Sequence, residues 1–188
     1  MPRQDAMRNR EAVIEAAMKL LGEEPGASMQ EIADRSGLGR STVYRHFPNR
    51  EALITAMYFH AVEDSWRRAE VIFARGLPVT DALRELCDMI VEVGIRNRFL
   101  LGHLATAADE MRQTRTATES PIRAYLIGCL ERGEIRTDMT IEWIMNVYQT
   151  LSMAAMQEVA IGRHDVADTQ RMLGETIVGF LQPKTPGA

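Results

Sequence analysis

Apolar residues recur three and four positions apart along nearly the whole chain, and no clear run of alternating apolar and polar residues appears. That periodicity predicts an all-α protein of about nine helices. The first, about Asp5 to Leu21, gathers Val13, Ala16, Ala17, Leu20 and Leu21 on one side. The stretch GEEPGA ends it, because glycine and proline interrupt helical backbone for different reasons. Ser28-Met29-Gln30-Glu31 then has the spacing of a capping box, opening a short second helix to about Ser36 that buries Ile32 and Ala33. Gly37-Leu38-Gly39 reads as a tight turn. A third helix follows from about Arg40 to Phe47, and Pro48 stops it by disfavouring helical backbone at the residue before it.

Asn49 is a good N-cap for a long fourth helix towards Arg75, roughly 35–40 Å at 1.5 Å per residue. GLPVTDAL resets the chain, with Thr80 the expected cap of a fifth helix to about Arg96. A sixth covers roughly Arg98 to Met111, and RQTRTATES is the most loop-like stretch of the body. Ser120 and Pro121 open a seventh helix with a cap and an N1 proline, closed by Arg132-Gly133. An eighth runs from about Thr140 to Ile161 and a ninth from Asp165, holding Met172, Leu173, Ile177 and Phe180 on one side, to just before Pro183. Residues 183–188 read as a disordered tail. The expected division is a helix-turn-helix domain over 1–49 and a second helical domain over 50–182, joined by the 50–75 helix.

Charge sharpens this picture. The chain of 188 residues carries 22 Lys+Arg against 26 Asp+Glu, a net charge of -4. Residues 1–50 run against that balance, with 8 basic and 7 acidic side chains. Between Asp34 and Glu51 there is no carboxylate at all, while Arg35, Arg40, Arg45 and Arg50 follow at regular intervals. A local basic face on an acidic body points to an anionic partner for that face alone. No apolar run approaches the roughly 18 residues needed to cross a bilayer, and the charged N-terminus lacks a signal-peptide pattern, so the expected location is cytoplasmic, with no membrane partner. Cys87 and Cys129 are far apart and read as reduced, buried side chains.

Two short helices around a glycine turn, the second rich in Arg, Ser, Thr and Tyr, describe a helix-turn-helix. At 100° per residue Val43 and Phe47 share one side of the third helix with the Tyr44 ring beside them, while Ser41, Thr42, Arg45 and His46 spread over the other. The first set can seat the helix; the second can enter a major groove wide enough to admit it. Arginine can bond guanine through two acceptors at once, and Ser and Thr suit thymine methyls or phosphate oxygens. Arg40, Ser41, Thr42 and Arg45 are therefore base-reading candidates. Tyr44, His46, Arg50, Ser28 and Gln30 are phosphate-contact candidates, and Ser28 has a second role as helix cap. The acids are missing because phosphate would repel them.

GLGRSTVYRHFPNREAL resembles the signature of the TetR (tetracycline repressor) family, Gly-x-x-x-x-Thr-x-Tyr-x-His-Phe-x-x-Lys/Arg-x-x-Leu. Over residues 10–55, Ala33, Gly37, Thr42, Tyr44, His46, Phe47, Arg50 and Leu53 all fall in place. Gly39 departs from a common serine, which removes one hydroxyl for phosphate. Beyond residue 55 the resemblance is one of architecture only. It implies a homodimer, a palindromic double-stranded DNA operator and a ligand cavity enclosed by helices four to eight. It also implies a dimer bundle built from the last two long helices, near 140–161 and 165–182.

The C-terminal body supplies few polar groups for such a cavity. Trp66, His103, Tyr125, Asn146 and Gln149 are the polar-tipped candidates. Met145, Met153 and Met156 with Trp143, Tyr148 and Leu151 form a stripe on the eighth helix that reads as core plus dimer seam, or as an adaptable pocket wall. Small Ser152, Ala154 and Ala155 favour close approach of a partner helix. With no cluster of Arg or Lys there, the expected effector is apolar and uncharged or weakly cationic. The four histidines share no metal-ligand spacing, no cofactor is called for, and no phosphate loop, paired-carboxylate motif or nucleophile elbow argues for an enzyme. The reading is a ligand-responsive DNA-binding regulator, a homodimeric repressor. The alternatives are a ligand-independent or activating regulator, and a dimeric small-molecule-binding protein whose helix-turn-helix is only scaffold.

Overall fold

The computed structural model describes residues 2–103 and 120–183. Among these residues the chain forms α1 (Pro2–Glu23), α2 (Met29–Ser36), α3 (Arg40–His46), α4 (Arg50–Ala74), α5 (Val79–Arg96), a 3₁₀ helix (Arg98–His103), α6 (Pro121–Glu131), α7 (Ile141–Ala160) and α8 (Val166–Leu181), with no strand. They gather into two compact units: residues 2–63 with 96–103, and residues 64–95 with 120–183. The division falls inside α4. No helix among the described residues is long and apolar enough to cross a membrane.

The first unit is a small helical cluster whose core is Val13, Ile14, Leu21, Ile32, Val43, Phe47, Leu53 and Met57. Local chemistry sets its helix ends. Ser28 Oγ accepts from the Glu31 amide at 3.3 Å while the Glu31 carboxylate accepts from the Ser28 amide at 2.7 Å, so the capping box is complete. Gly37 adopts a φ of 71°, and its amide donates to the Asp34 carbonyl at 3.3 Å, closing α2 in the left-handed conformation that glycine tolerates best. Asn49 Oδ1 accepts from the Ala52 amide at 2.8 Å and starts α4.

The second unit packs Leu83, Leu86, Cys87, Val91, Leu126, Ile144 and Ile177 into its own core. Ser120, Thr140 and Asp165 cap α6, α7 and α8 with side-chain oxygens that accept the amide three residues on. Gly94 is required for close approach: a Cβ there would lie 2.2 Å from both Cγ and Sδ of Met156. Such an overlap forces the methionine elsewhere.

Three sequence expectations need adjustment. The first helix is longer than 5–21, since Pro2 can occupy an N-terminal position at no hydrogen-bond cost. Thr80 does not cap α5; the helix starts at Val79, and the Pro78 carbonyl accepts from the Asp81 and Ala82 amides at 2.9 and 3.0 Å. The stretch expected as a sixth helix begins as the 3₁₀ helix Arg98–His103, and the rest of it, with the RQTRTATES loop and residues 184–188, lies outside the described residues.

Gly37 offers a clean check on the turn. No atom lies within 4 Å of a Cβ placed there, so Gly37→Ala meets only the cost of its φ. That substitution is expected to lower stability by about 1–2 kcal/mol, read from the urea midpoint at constant m-value.

Candidate nucleic-acid interface

The candidate interface begins with how α3 is seated. Val43 is wholly buried and Phe47 is 2% exposed, so one side of this two-turn helix is fixed in the first unit's core. The Arg10 guanidinium lies 5.4 Å from the Phe47 ring centroid, adding a cation–π contact from α1. With that side fixed, Arg40, Ser41 and Arg45 are exposed and Thr42 is half-buried. Tyr44 differs from the expected inward ring: it is 41% exposed. It stands 100° from Val43, and Val43 and Phe47 already fill the seat, so the ring joins the outer face.

The electrostatics of the outer face differ from those of the second unit. Arg40 and Arg45 make no ion pair or hydrogen bond among the described residues. In the second unit Arg68 meets Glu92, Arg75 meets Glu85, Arg123 meets Glu142, Arg132 meets Glu134 and Arg136 meets Asp138. Arg35, in the last turn of α2, reaches Glu23 at 3.7 Å. On α3, cationic charge is left uncompensated; in the body it is neutralised locally.

His46 is half-buried, and its Nε2 is enclosed without a hydrogen-bond partner. Burial, and then the positive charges of Arg45 and Arg10, hold its pKa below the ordinary 6.5. The imidazole is thus neutral at pH 7 and can serve a phosphate only as a hydrogen-bond donor.

The other phosphate candidates already have partners. The Ser28 hydroxyl donates to Glu31 Oε2 at 2.8 Å, and the Glu31 pKa is lowered first by the Ser28 amide and then by this hydroxyl. Gln30 Nε2 donates to Asp34 Oδ1 at 2.8 Å. Arg50 turns its guanidinium to the loop between α1 and α2, donating to the Pro25 carbonyl at 2.6 Å and to the Ala27 carbonyl. Arginine is suited to this, since its rigid fork can satisfy two acceptors together. The first residue of α4 is therefore tied to the loop that sets the start of α2.

The effector-site candidates whose side chains are described do not share one face. Trp66 and Tyr125 pack against the second unit's core, and the Tyr125 ring stacks on Phe73 at 3.9 Å between centroids. Asn146 and Gln149 are exposed on the outer side of α7. The His103 side chain lies outside the described residues. Sequence reasoning placed Tyr148 and Ser152 in a core or dimer-seam stripe rather than among the site residues; both are buried, at 6% and 5% exposed. Their i,i+4 spacing was the available signal, since it stacks two hydroxyls on one helix face.

The family model described as "Bacterial regulatory proteins, tetR family" matches residues 13–57, a span that contains α2, α3 and the start of α4. Over these residues the chain is similar to the tetR family. Among curated tetR-like relatives, the repressor LfrR of Mycolicibacterium smegmatis is 36% identical over 87 residues, a match spanning 46% of each protein, less than half the length of LfrR. The repressor AcnR of Corynebacterium glutamicum is 23% identical over 163 residues, 82% of this chain and 83% of AcnR. The solved structure of LfrR in complex with proflavine shares the fold, with a TM-score of 0.67 at 24% identity over 93% of this chain and 97% of that one.

Two outcomes test this interface in the free protein and on DNA. Arg50→Ala is expected to destabilise the free chain by about 1–2 kcal/mol, because two loop carbonyls lose a charged donor. If loop bonding is its main role, the slope of log affinity against log salt changes by less than the single unit that a lost phosphate contact removes. Because the folded His46 pKa is depressed, the unfolded chain binds more protons below its ordinary value. Stability contributed by the neutral imidazole is present above pH 6.5 and is lost as pH falls through that value towards the folded pKa. His46→Gln should remove that part of the pH dependence in denaturant titrations.

Proposed function

We propose that this chain is a ligand-responsive transcriptional repressor that binds a palindromic operator as a homodimer and is released by a small molecule. The observation that carries the reading is the uncompensated pair Arg40 and Arg45 on the exposed face of a core-seated second helix. Phosphate neutralisation supplies affinity to such a face, and base-edge contacts supply preference. Arg40, Ser41, Thr42 and Arg45 take the base-reading role; Tyr44 and His46 lie beside them for phosphate. Ser28, Gln30 and Arg50 act first by holding the helix-turn-helix in shape.

Support for the homodimer comes from the outer side of α7. Trp143 to Gln157 contains no charged residue, Trp143 is 56% exposed, and Asn146, Gln149 and Ala154 are exposed with it. A long helix face without charge suits a partner better than it suits water. On α8 the exposed charges are satisfied within the helix, as Arg171 meets Asp168 and Glu175. Ser152 and Ala155 face their own protomer's core instead, so Ala154 is the small residue that fits the proposed seam.

Helix α4 is the proposed lever. Arg50 stands at its start, and Trp66, Ile72 and Phe73 belong to the second unit's apolar cluster. An effector that favours one placement of α4 changes operator affinity only by its difference in affinity for the two states. The proflavine complex of LfrR supports a small-molecule effector in a protein of this fold.

Selection of bound sequences from a randomised duplex library tests the reading directly, and an absence of any sequence preference would overturn it. Within a recovered site, Arg45→Ala should relax preference at one or two positions per half-site by about 1–3 kcal/mol each. Ala154→Arg should yield a folded monomer in sedimentation with operator binding lost. A dimer of unchanged stability would move the interface off α7.

A further inference from the structure

Tyr148 and Ser152 stand one turn apart on the inward face of α7, each more than nine-tenths buried; their hydroxyls lie near each other, but neither meets a partner in good hydrogen-bond geometry. Buried hydroxyls are ordinarily satisfied, so two on one face need a reason. Across from them runs a face of α5 bearing Cys87, Val91 and Gly94. Two contacts align these faces. Cys87 lies close to Tyr148, whose phenol burial holds protonated. Met156, one turn beyond Ser152, fills the space over Gly94 that any side chain there would take. The contacts are separated by seven residues on α5 and eight on α7, so the helices run in the same sense for about 10–12 Å. Tyr148 and Ser152 lie along this strip.

The chemistry of the strip is narrow. It offers two hydroxyls that can each donate and accept, one protonated thiol whose pKa burial raises to about 12, and apolar surface otherwise. No charged side chain belongs to it. A carboxylate or phosphate ligand buried here would lack a cation, whereas a neutral hydroxyl or amide could satisfy both protein hydroxyls. Met156 is half-buried, unbranched and adaptable, so it is the side chain able to leave Gly94 and admit a ligand without rebuilding the helices.

We propose that Tyr148 and Ser152 are the polar anchor of the effector site, and that the effector is a small neutral molecule with an apolar body and a hydroxyl or amide head, admitted between α5 and α7 as Met156 leaves Gly94. The assignment deepens the effector-responsive reading and rests on it. It replaces Asn146 and Gln149, exposed on the other side of α7, as the residues that recognise the ligand.

The test measures binding to the full-length free chain, so that it does not depend on DNA. Calorimetry and thermal shift compare 4-propylphenol, propylbenzene and 4-propylbenzoate on the natural protein and on Tyr148→Phe, Ser152→Ala and Gln149→Ala. The phenol is expected to bind, with the hydrocarbon and the benzoate at least tenfold weaker. Tyr148→Phe and Ser152→Ala should each lose about tenfold in phenol affinity, while Gln149→Ala binds as the natural chain does. Both hydroxyl variants should fold with unchanged or higher melting temperature, because each removes an unpartnered group. Should Tyr148→Phe fail to fold, Ser152→Ala carries the same comparison. Failure of the phenol to bind, equal binding of the hydrocarbon, or undiminished binding by Ser152→Ala overturns the anchor. Sequence-selective DNA binding that persists in that case leaves the regulator reading standing; its absence in a chain that binds the phenol has the opposite meaning.

Discussion

The burial of Val43 and Phe47 is the constraint on which the candidate interface depends. Val43 lies in a helix of seven residues and Phe47 is its C-cap, and a helix this short cannot hold its shape in water by its own hydrogen bonds. Its orientation comes from those two side chains sinking into a core supplied by α1, α2 and the start of α4. Each contributes on the order of 1.5–3 kcal/mol by leaving water. Once they are placed, the outward direction of Arg40, Ser41 and Arg45 follows from helix geometry. The Arg10 contact over the Phe47 ring and the Arg50 bonds to the α1–α2 loop secure the same seat from two sides.

Charge then separates the two units by role. Exposed ion pairs such as Arg163–Glu158 and Arg171–Asp168 contribute little to stability, and their main effect is to cancel charge where it would otherwise project into solvent. Arg40 and Arg45 have no such partner among the described residues, so their charge remains available to a polyanion. The acidic remainder of the chain discourages broad adhesion of nucleic acid elsewhere. Burial, and then the nearby charges of Arg45 and Arg10, weaken the hold of His46 on a proton, so no third positive charge is added close to Arg45 in the free protein.

The first unit was legible in the sequence because its signals are local. Ser28 and Glu31, Gly37, Pro48 and Asn49 each act on backbone within four residues, and Val43 and Phe47 are separated by one helical turn. The rotation of Tyr44 outward was less legible, since either side of that position keeps the helical period. The second unit hid more. Asn146 and Gln149 carry suitable polar tips, but their helix face is set by packing with distant α5 and α8, which no local spacing reveals. Tyr148 and Ser152 read as seam residues in a stripe of methionines, and only tertiary packing turns them inward. Thr80 failed as a cap for a simpler reason, because the carbonyl of Pro78 already starts the helix two residues earlier.

Helix α7 brings two kinds of surface together on one rigid element, and their energies differ in a way that bears on switching. Its outer face has little charge to desolvate, so a partner helix could bury it without the several kcal/mol that an unpaired ion would cost. Its inner face keeps two hydroxyls unpartnered, each a penalty on the order of 1–3 kcal/mol in a buried setting. A neutral ligand that satisfies them gains that amount in the state where it fits and nothing where the helices remain closed. Effector coupling in proteins is typically 1–3 kcal/mol, a fivefold to 150-fold change in affinity. Relief of even one of these hydroxyls is therefore large enough to bias α7, and through the shared core α4, between two placements. A ligand without a polar head could bury as much apolar area in either placement, and would then bind without switching.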